Sequence, residues 1–139
     1  EFLVELGNHL IDFGQPVPNA VKESYPSREL IACLELHTFS SLNKDFIAEY
    51  KNALDAADKA LVYFSPKVVA HKRLPNLSKS EVLQAFGAPK NLIIFTNTQE
   101  LIDNLKENVS PKNTNLLIMS SGNFDGIDWN KTVDQILNV

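Results

Sequence analysis

Two polar stretches hold most of the side chains in this sequence that could handle a ligand. Residues 37–43 include His37, Thr38, Ser40, Ser41 and Asn43, and residues 120–126 include Ser120, Ser121, Gly122, Asn123, Phe124 and Asp125. Each stretch follows an apolar run and precedes a helical pattern. Ligands of open parallel sheets gather beyond the carboxyl ends of the strands, and the free N–H groups of a following helix favour an anion. A phosphate or a carboxylate is therefore the ligand class that the pair of stretches implies. His37 is a reasonable donor to such a group, although a loop histidine bonded to backbone would account for it equally. A tight strand-to-helix turn is the corresponding plain account of residues 120–126.

Other chemistries find less support. Gly122 and Gly126 form a G-x-x-x-G loop that fits neither a dinucleotide fingerprint nor a P-loop, and none of the five glycines is followed by Lys. His9, His37 and His71 fall in separate elements without helical spacing, so no metal site is expected. Cys33 sits inside an apolar run and reads as an inert core thiol. Glu35, at the end of the same run, is either an acid facing the ligand crevice or a partner for a nearby lysine. His71-Lys72-Arg73 reads as a solvated edge. With no nucleophile elbow in the chain, no residue is singled out as catalytic.

The elements that must position these groups follow from periodicity. Continuous apolar runs at 30–36, 60–64, 92–95 and 116–119 read as strands covered on both faces. Apolar residues from Phe46 to Ala57 recur at helical spacing, and Val68-Val69-Ala70 reads as a short edge strand. Ser78 and Glu81 form a capping box for a helix that stops at Gly87. Asn97 and Asp128 are caps for two further helices. Phe2-Leu3-Val4-Glu5-Leu6 and Leu10-Ile11-Asp12-Phe13, separated by Gly7-Asn8, read as a β-hairpin. Strand alternating with helix gives an α/β class: a Rossmann-like, mainly parallel sheet with helices on both faces and an N-terminal β-hairpin.

Composition bounds the partners. The 139 residues are 44% apolar, with 13 basic against 17 acidic side chains and a net charge of −4. That balance excludes a broad electrostatic footprint for nucleic acid or an anionic membrane. One cysteine excludes an intrachain disulfide and fits a reducing compartment. No apolar run reaches the ~18 residues of a membrane span, and no signal-peptide pattern opens the chain. The expectation is one soluble, cytoplasmic domain. Because Glu1 stands where a Met would begin a chain, an upstream portion is expected too.

Three stretches bring a family into view. Ile31-Ala32-Cys33-Leu34-Glu35-Leu36-His37-Thr38-Phe39-Ser40-Ser41 is similar to a strand and loop of the Mur ligase C-terminal domain, where the family places residues facing its amino substrate. Asp55-Ala56-Ala57-Asp58-Lys59-Ala60-Leu61-Val62 resembles the family's "aDev" lead-in to its next strand. Met119-Ser120-Ser121-Gly122-Asn123-Phe124-Asp125-Gly126-Ile127 resembles the S-x-G-x-F-x-G-I loop of the murein peptide ligases.

The resemblance implies that residues 1–139 form the amino-substrate-presenting domain of an ATP-dependent, amide-forming ligase of peptidoglycan synthesis or recycling. It further implies that this domain is inactive alone. The upstream domains would hold UDP-N-acetylmuramate, ATP and Mg, and an amino acid or a murein tripeptide would be the second substrate. Carried over residue by residue, His37, Thr38, Ser40, Ser41, Ser120, Ser121, Gly122, Asn123, Phe124 and Asp125 would face that substrate. Asp12 would lie near the nucleotide.

The chain departs from the family in two places. The 37–43 loop lacks the basic residues often found there. The family's D-[FY]-A-H-x-P and full helix are replaced by Asp12-Phe13-Gly14-Gln15-Pro16-Val17-Pro18, which leads to the expectation that residues are lacking between Asp12 and Ala20 and that only a helix tail follows. Two rival readings stand beside the ligase. One is a stand-alone α/β domain that binds a small anion or nucleotide without catalysis. The other is a receiver-like module, which lacks the acidic cluster that such modules need.

Overall fold

The eight-residue strand Glu29–Leu36 shows why the apolar runs do not alternate. Leu30, Ala32, Leu34 and Leu36 enter one core cluster and Ile31 and Cys33 enter a second, so both faces of the strand are covered. The neighbouring strands divide in the same way. Ala60, Val62, Phe64, Leu117 and Met119 join the first cluster, and Leu61, Tyr63, Leu116 and Ile118 join the second.

The computed structural model describes residues 2–7, 10–12, 15–110 and 112–137. In chain order the elements are β1 (Phe2–Gly7), β2 (Ile11–Asp12), β3 (Gln15–Pro16), α1 (Val17–Ser24), β4 (Glu29–Leu36), α2 (Lys44–Ile47), β5 (Lys59–Phe64) and α3 (Pro66–His71). They continue with α4 (Lys79–Ala85), β6 (Leu92–Phe95), α5 (Thr98–Asn108), β7 (Thr114–Met119) and α6 (Trp129–Ile136). Five parallel strands form one sheet in the order β1-β7-β4-β5-β6. Helices α1 to α4 send Val21, Ile47, Val69 and Val82 into the first cluster, while α5 and α6 send Leu101, Leu105 and Ile136 into the second. The parallel α/β architecture with helices on both faces is thus present. Among the described residues no helix is long and apolar enough to cross a membrane.

The N-terminal hairpin exists, but with other strands. The expected first arm, β1, instead pairs in parallel with β7 from Phe2↔Thr114 to Gly7↔Met119. A six-residue ladder with β7 satisfies more backbone than a short local hairpin, and it covers what would otherwise be an open sheet edge. The hairpin is β2 against β3, with Ile11 opposite Pro16 and Asp12 opposite Gln15. The stretch expected to lack residues and to hold only a helix tail carries β3 and the start of α1. That helix begins at Val17 because Pro18 occupies the first turn, where no N–H is needed.

Two further expectations are corrected. The stripe from Phe46 to Ala57 does bury Ile47, Ala53, Leu54 and Ala57. It does so as α2, one 3-10 turn over Ala48–Tyr50, and then turns, because Lys51 leaves the helical region with ψ 128° and Asn52 follows with a left-handed φ of 65°. Val68-Val69-Ala70 lies in α3, not in a strand. Ser65 caps that helix by accepting from the Val68 N–H, and Pro66 starts it. Strand β6 is buried except for Ile93, which is 47% exposed.

One polar junction ties α1, β4 and β5 together. Asp58 accepts from the Leu30 N–H at 2.7 Å and from the Lys22 ammonium at 2.9 Å, and Lys22 also donates to the Arg28 carbonyl. Burial opposes ionisation of Asp58, but these donors outweigh it and hold the carboxyl below its usual value. A lowered folded value means that the stabilisation is present above the unfolded aspartate value of about 3.9. It is lost as pH falls through the folded value. Asp58→Asn should therefore flatten the acid limb of stability between about pH 5 and about pH 2. Urea unfolding across that range measures it, and a slope equal to the parent's would show that Asp58 is not responsible.

Candidate functional site

The strand order brings the two polar stretches together. Strands β4 and β7 are neighbours, with Leu34 opposite Met119. The chain leaves β4 toward α2 on the first face and leaves β7 toward α6 on the second. Connections that part to opposite faces leave a crevice at the carboxyl ends of the two strands, where such sheets take their ligands.

At the floor of that crevice lies Glu35, only 6% exposed in a strand otherwise apolar from Leu30 to Leu36. Its Oε1 accepts from the Ser120 hydroxyl and, at 3.0 Å, from the Phe124 N–H. Its Oε2 lies 3.9 Å from His37 Nδ1. Among the described residues no lysine pairs with Glu35, so of its two sequence readings the acid at the crevice is the one that matches this placement. The negative charge also acts on its neighbours. Burial, and then Glu35, push the Cys33 thiol far above its ordinary value. Burial, then Asp125 and Glu35, raise the Tyr63 phenol, against the opposing effect of the Ser65 side chain.

The 37–43 loop is largely self-satisfied. Ser41 is buried, its hydroxyl donating to the Thr38 carbonyl at 3.1 Å and accepting from the Thr38 hydroxyl at 3.0 Å. Ser40 is exposed, and its carbonyl accepts from the Asn43 N–H. The His37 side chain stands 38% exposed at the rim. Thr38, Ser41, Tyr50, Ser120 and Ser121 share a small cavity of about 90 Å³ with Glu35.

The 120–126 loop is tightly wound. Phe124, Asp125 and Gly126 have φ of 53°, 57° and 97°, a left-handed run that is unfavourable for an aromatic residue. The Phe124 ring is 1% exposed, stacked on Tyr63 and edge-on to Trp129, so its contribution at the crevice is its N–H. Three of the loop amides already have partners. Gly122 N–H donates to the Ser120 hydroxyl at 2.7 Å, Phe124 N–H to Glu35, and Gly126 N–H to the Asn123 side chain at 3.2 Å. With a buried carboxylate beneath them, these amides do not form an anion cradle.

Asp125, exposed like Gly126 beside it, lines a second cavity, of about 340 Å³, beyond the ends of β5 and β6. Tyr63, Ser65, Lys67, Thr96 and Thr98 also line it. The N-terminus of α5, capped by Asn97, opens here, so the cavity combines one cation, one anion, a helix N-terminus and several hydroxyls. The sequence reading missed Lys67, Thr96 and Thr98. Their only signal was position after strands 60–64 and 92–95, and no spacing ties either strand end to Asp125. A larger cavity of about 430 Å³ lies between α2 and α4, away from the strand ends.

The side chain of Asp12 and the whole of His9 lie outside the described residues. Among the described residues no three His, Cys, Asp or Glu side chains are grouped to hold a metal ion.

No protein-family model matches the chain. No curated protein matches it by sequence. Solved structures do. One is a domain of a Haemophilus ducreyi 35000HP protein assigned as a UDP-N-acetylmuramate:L-alanyl-γ-D-glutamyl-meso-diaminopimelate ligase. It is 22% identical with a TM-score of 0.56, over 97% of this chain and 89% of that one. Another is a murein peptide ligase from Psychrobacter arcticus 273-4, 18% identical with a TM-score of 0.62, over 88% of this chain. The match spans 24% of that enzyme's length. At these identities the likeness establishes the fold.

Gly122 is packed against the floor of the crevice. A Cβ there would lie 2.8 Å from Glu35 Oε1 and 2.8 Å from His37 Cγ. Gly122→Ala should therefore cost about 1–3 kcal/mol of stability by overpacking. Chemical denaturation measures it, and a neutral result would show that the loop yields freely.

Proposed function

We propose that this chain is the amino-substrate-presenting domain of a Mur-type, amide-forming ligase, holding the zwitterionic head of an amino acid or a murein peptide. The single observation that carries the reading is the cavity beyond β5 and β6, with Lys67 and the α5 N-terminus available to a carboxylate and Asp125 to an ammonium. The two neighbouring folds support it by what their names say they join. The crevice at β4 and β7 adds His37 at its rim.

On this reading the partner substrate is UDP-N-acetylmuramate, whose activated carboxylate the presented amine attacks as phosphate leaves. The chain's own contribution is placement. Orienting an amine against an acyl group removes translational and rotational freedom, and such effects reach about 7–11 kcal/mol in ideal geometry. ATP and magnesium do not fit these residues. No glycine precedes a lysine, and the described side chains group no metal ligands, so the reading assigns both to another part of a longer, cytoplasmic enzyme.

The rival anion-binding reading is disfavoured at the 120–126 loop, where the amides of Gly122, Phe124 and Gly126 are occupied and Glu35 repels negative charge. The test is calorimetric titration of the chain with meso-diaminopimelate. Lys67→Ala and Asp125→Asn should each weaken binding about tenfold. In the longer enzyme, ATP consumption should require both UDP-N-acetylmuramate and the amine, and His37→Ala should raise the amine KM more than the nucleotide KM. Binding of inorganic phosphate in preference to the zwitterion would overturn the reading.

A further inference from the structure

Glu35 touches neither Lys67 nor the α5 N-terminus, yet the loop that presents Asp125 hangs on it. One carboxylate oxygen receives both the Ser120 hydroxyl and the Phe124 N–H, bonds that span 85 and 89 residues of sequence. Phe124 is the first of three consecutive left-handed residues, and Asp125 is the second. Such a run persists only where its surroundings over-determine it. Here the buried Phe124 ring fixes one side of the peptide and Glu35 fixes the other. The second oxygen faces His37 at 3.9 Å, and Gly122 closes so tightly over both side chains that no Cβ would fit.

We infer that Glu35 is a positioning residue: its buried carboxylate fastens the 120–126 loop in the left-handed conformation that sets Asp125 on the cavity wall. The inference rests on the zwitterion-binding role assigned to that cavity. The acceptor oxygen, not the charge, does the fastening, which separates Glu35 from a group that binds substrate electrostatically. It also follows that the disturbance caused by losing Glu35 is local, because the ladder of β4 with β5 and β7 is made by backbone groups.

The experiment compares Glu35→Gln, which keeps an acceptor oxygen in place, with Glu35→Ala, which removes it. Amide hydrogen exchange is read at Phe124 and at Leu116–Ile118 of β7, and meso-diaminopimelate binding is read by calorimetry. In Glu35→Ala, Phe124 exchange should accelerate about tenfold and binding should weaken about tenfold, with the β7 amides unchanged. Glu35→Gln should restore both.

Unchanged Phe124 exchange in Glu35→Ala would overturn the fastening. Faster exchange with parental binding would overturn the positioning role. A Glu35→Gln chain that protects Phe124 but fails to bind would show that charge, not geometry, matters, and would overturn the inference as well. A parent chain that does not bind the zwitterion overturns the function proposed for the cavity and the positioning role with it, whereas the Phe124 exchange still reports the fastening by itself.

Discussion

A carboxylate taken out of water must be met by donors, and Glu35 meets two of them on a single oxygen. Around that contact the carboxyl end of the sheet is organised. It joins the end of β4 to the loop after β7 and lies beneath Gly122. It also shares a side of the sheet with Tyr63, its direct neighbour across β5. Removing the acid would leave a hydroxyl and an amide facing an apolar floor. The buried carboxylate is therefore less a source of net stability than an acceptor that selects one loop conformation rather than several.

The electrostatics of this end of the molecule follow from that one charge. The amides of Gly122, Phe124 and Gly126 point to Ser120, Glu35 and Asn123. At the helix start that a sequence reading offers to a phosphate, Asp128 already accepts from Asn130 and Lys131. Positive potential lies instead one strand further along, at Lys67 and the start of α5. The carboxyl ends of β4 and β7 thus carry the Glu35 carboxylate, while the cavity beyond β5 and β6 sets Lys67 and the start of α5 against Asp125. A ligand with both charges suits this layout better than a simple anion.

Much of the fold was legible because its signals are local. Apolar runs marked β4 to β7. The Ser78–Glu81 capping box, the Asn97 cap and the Asp128 cap marked three helix starts, and each is present with its side chain bonded to the first-turn amides. Local signals also misled where a tertiary partner or a stronger neighbouring signal outweighed them. The apolar stripe of residues 46–57 is buried without being one helix, since Asn52 turns the chain and its N–H donates to the Phe86 carbonyl. Val68 to Ala70 have strand-like side chains, but Ser65-Pro66 nucleates a helix that buries Val69.

The sequence by itself determined the α/β class, the two-faced burial of the sheet and the loops at which strands end, because periodicity and capping act within a few residues of one another. Only the tertiary structure decided that β1 runs parallel beside β7. It also decided that Glu35 meets Ser120 and Phe124, and that Lys67 shares a cavity with Asp125. Those pairings depend on strand order and register, which arise when distant segments compete to cover the same apolar surface and backbone edges. No spacing along the chain records the outcome of that competition.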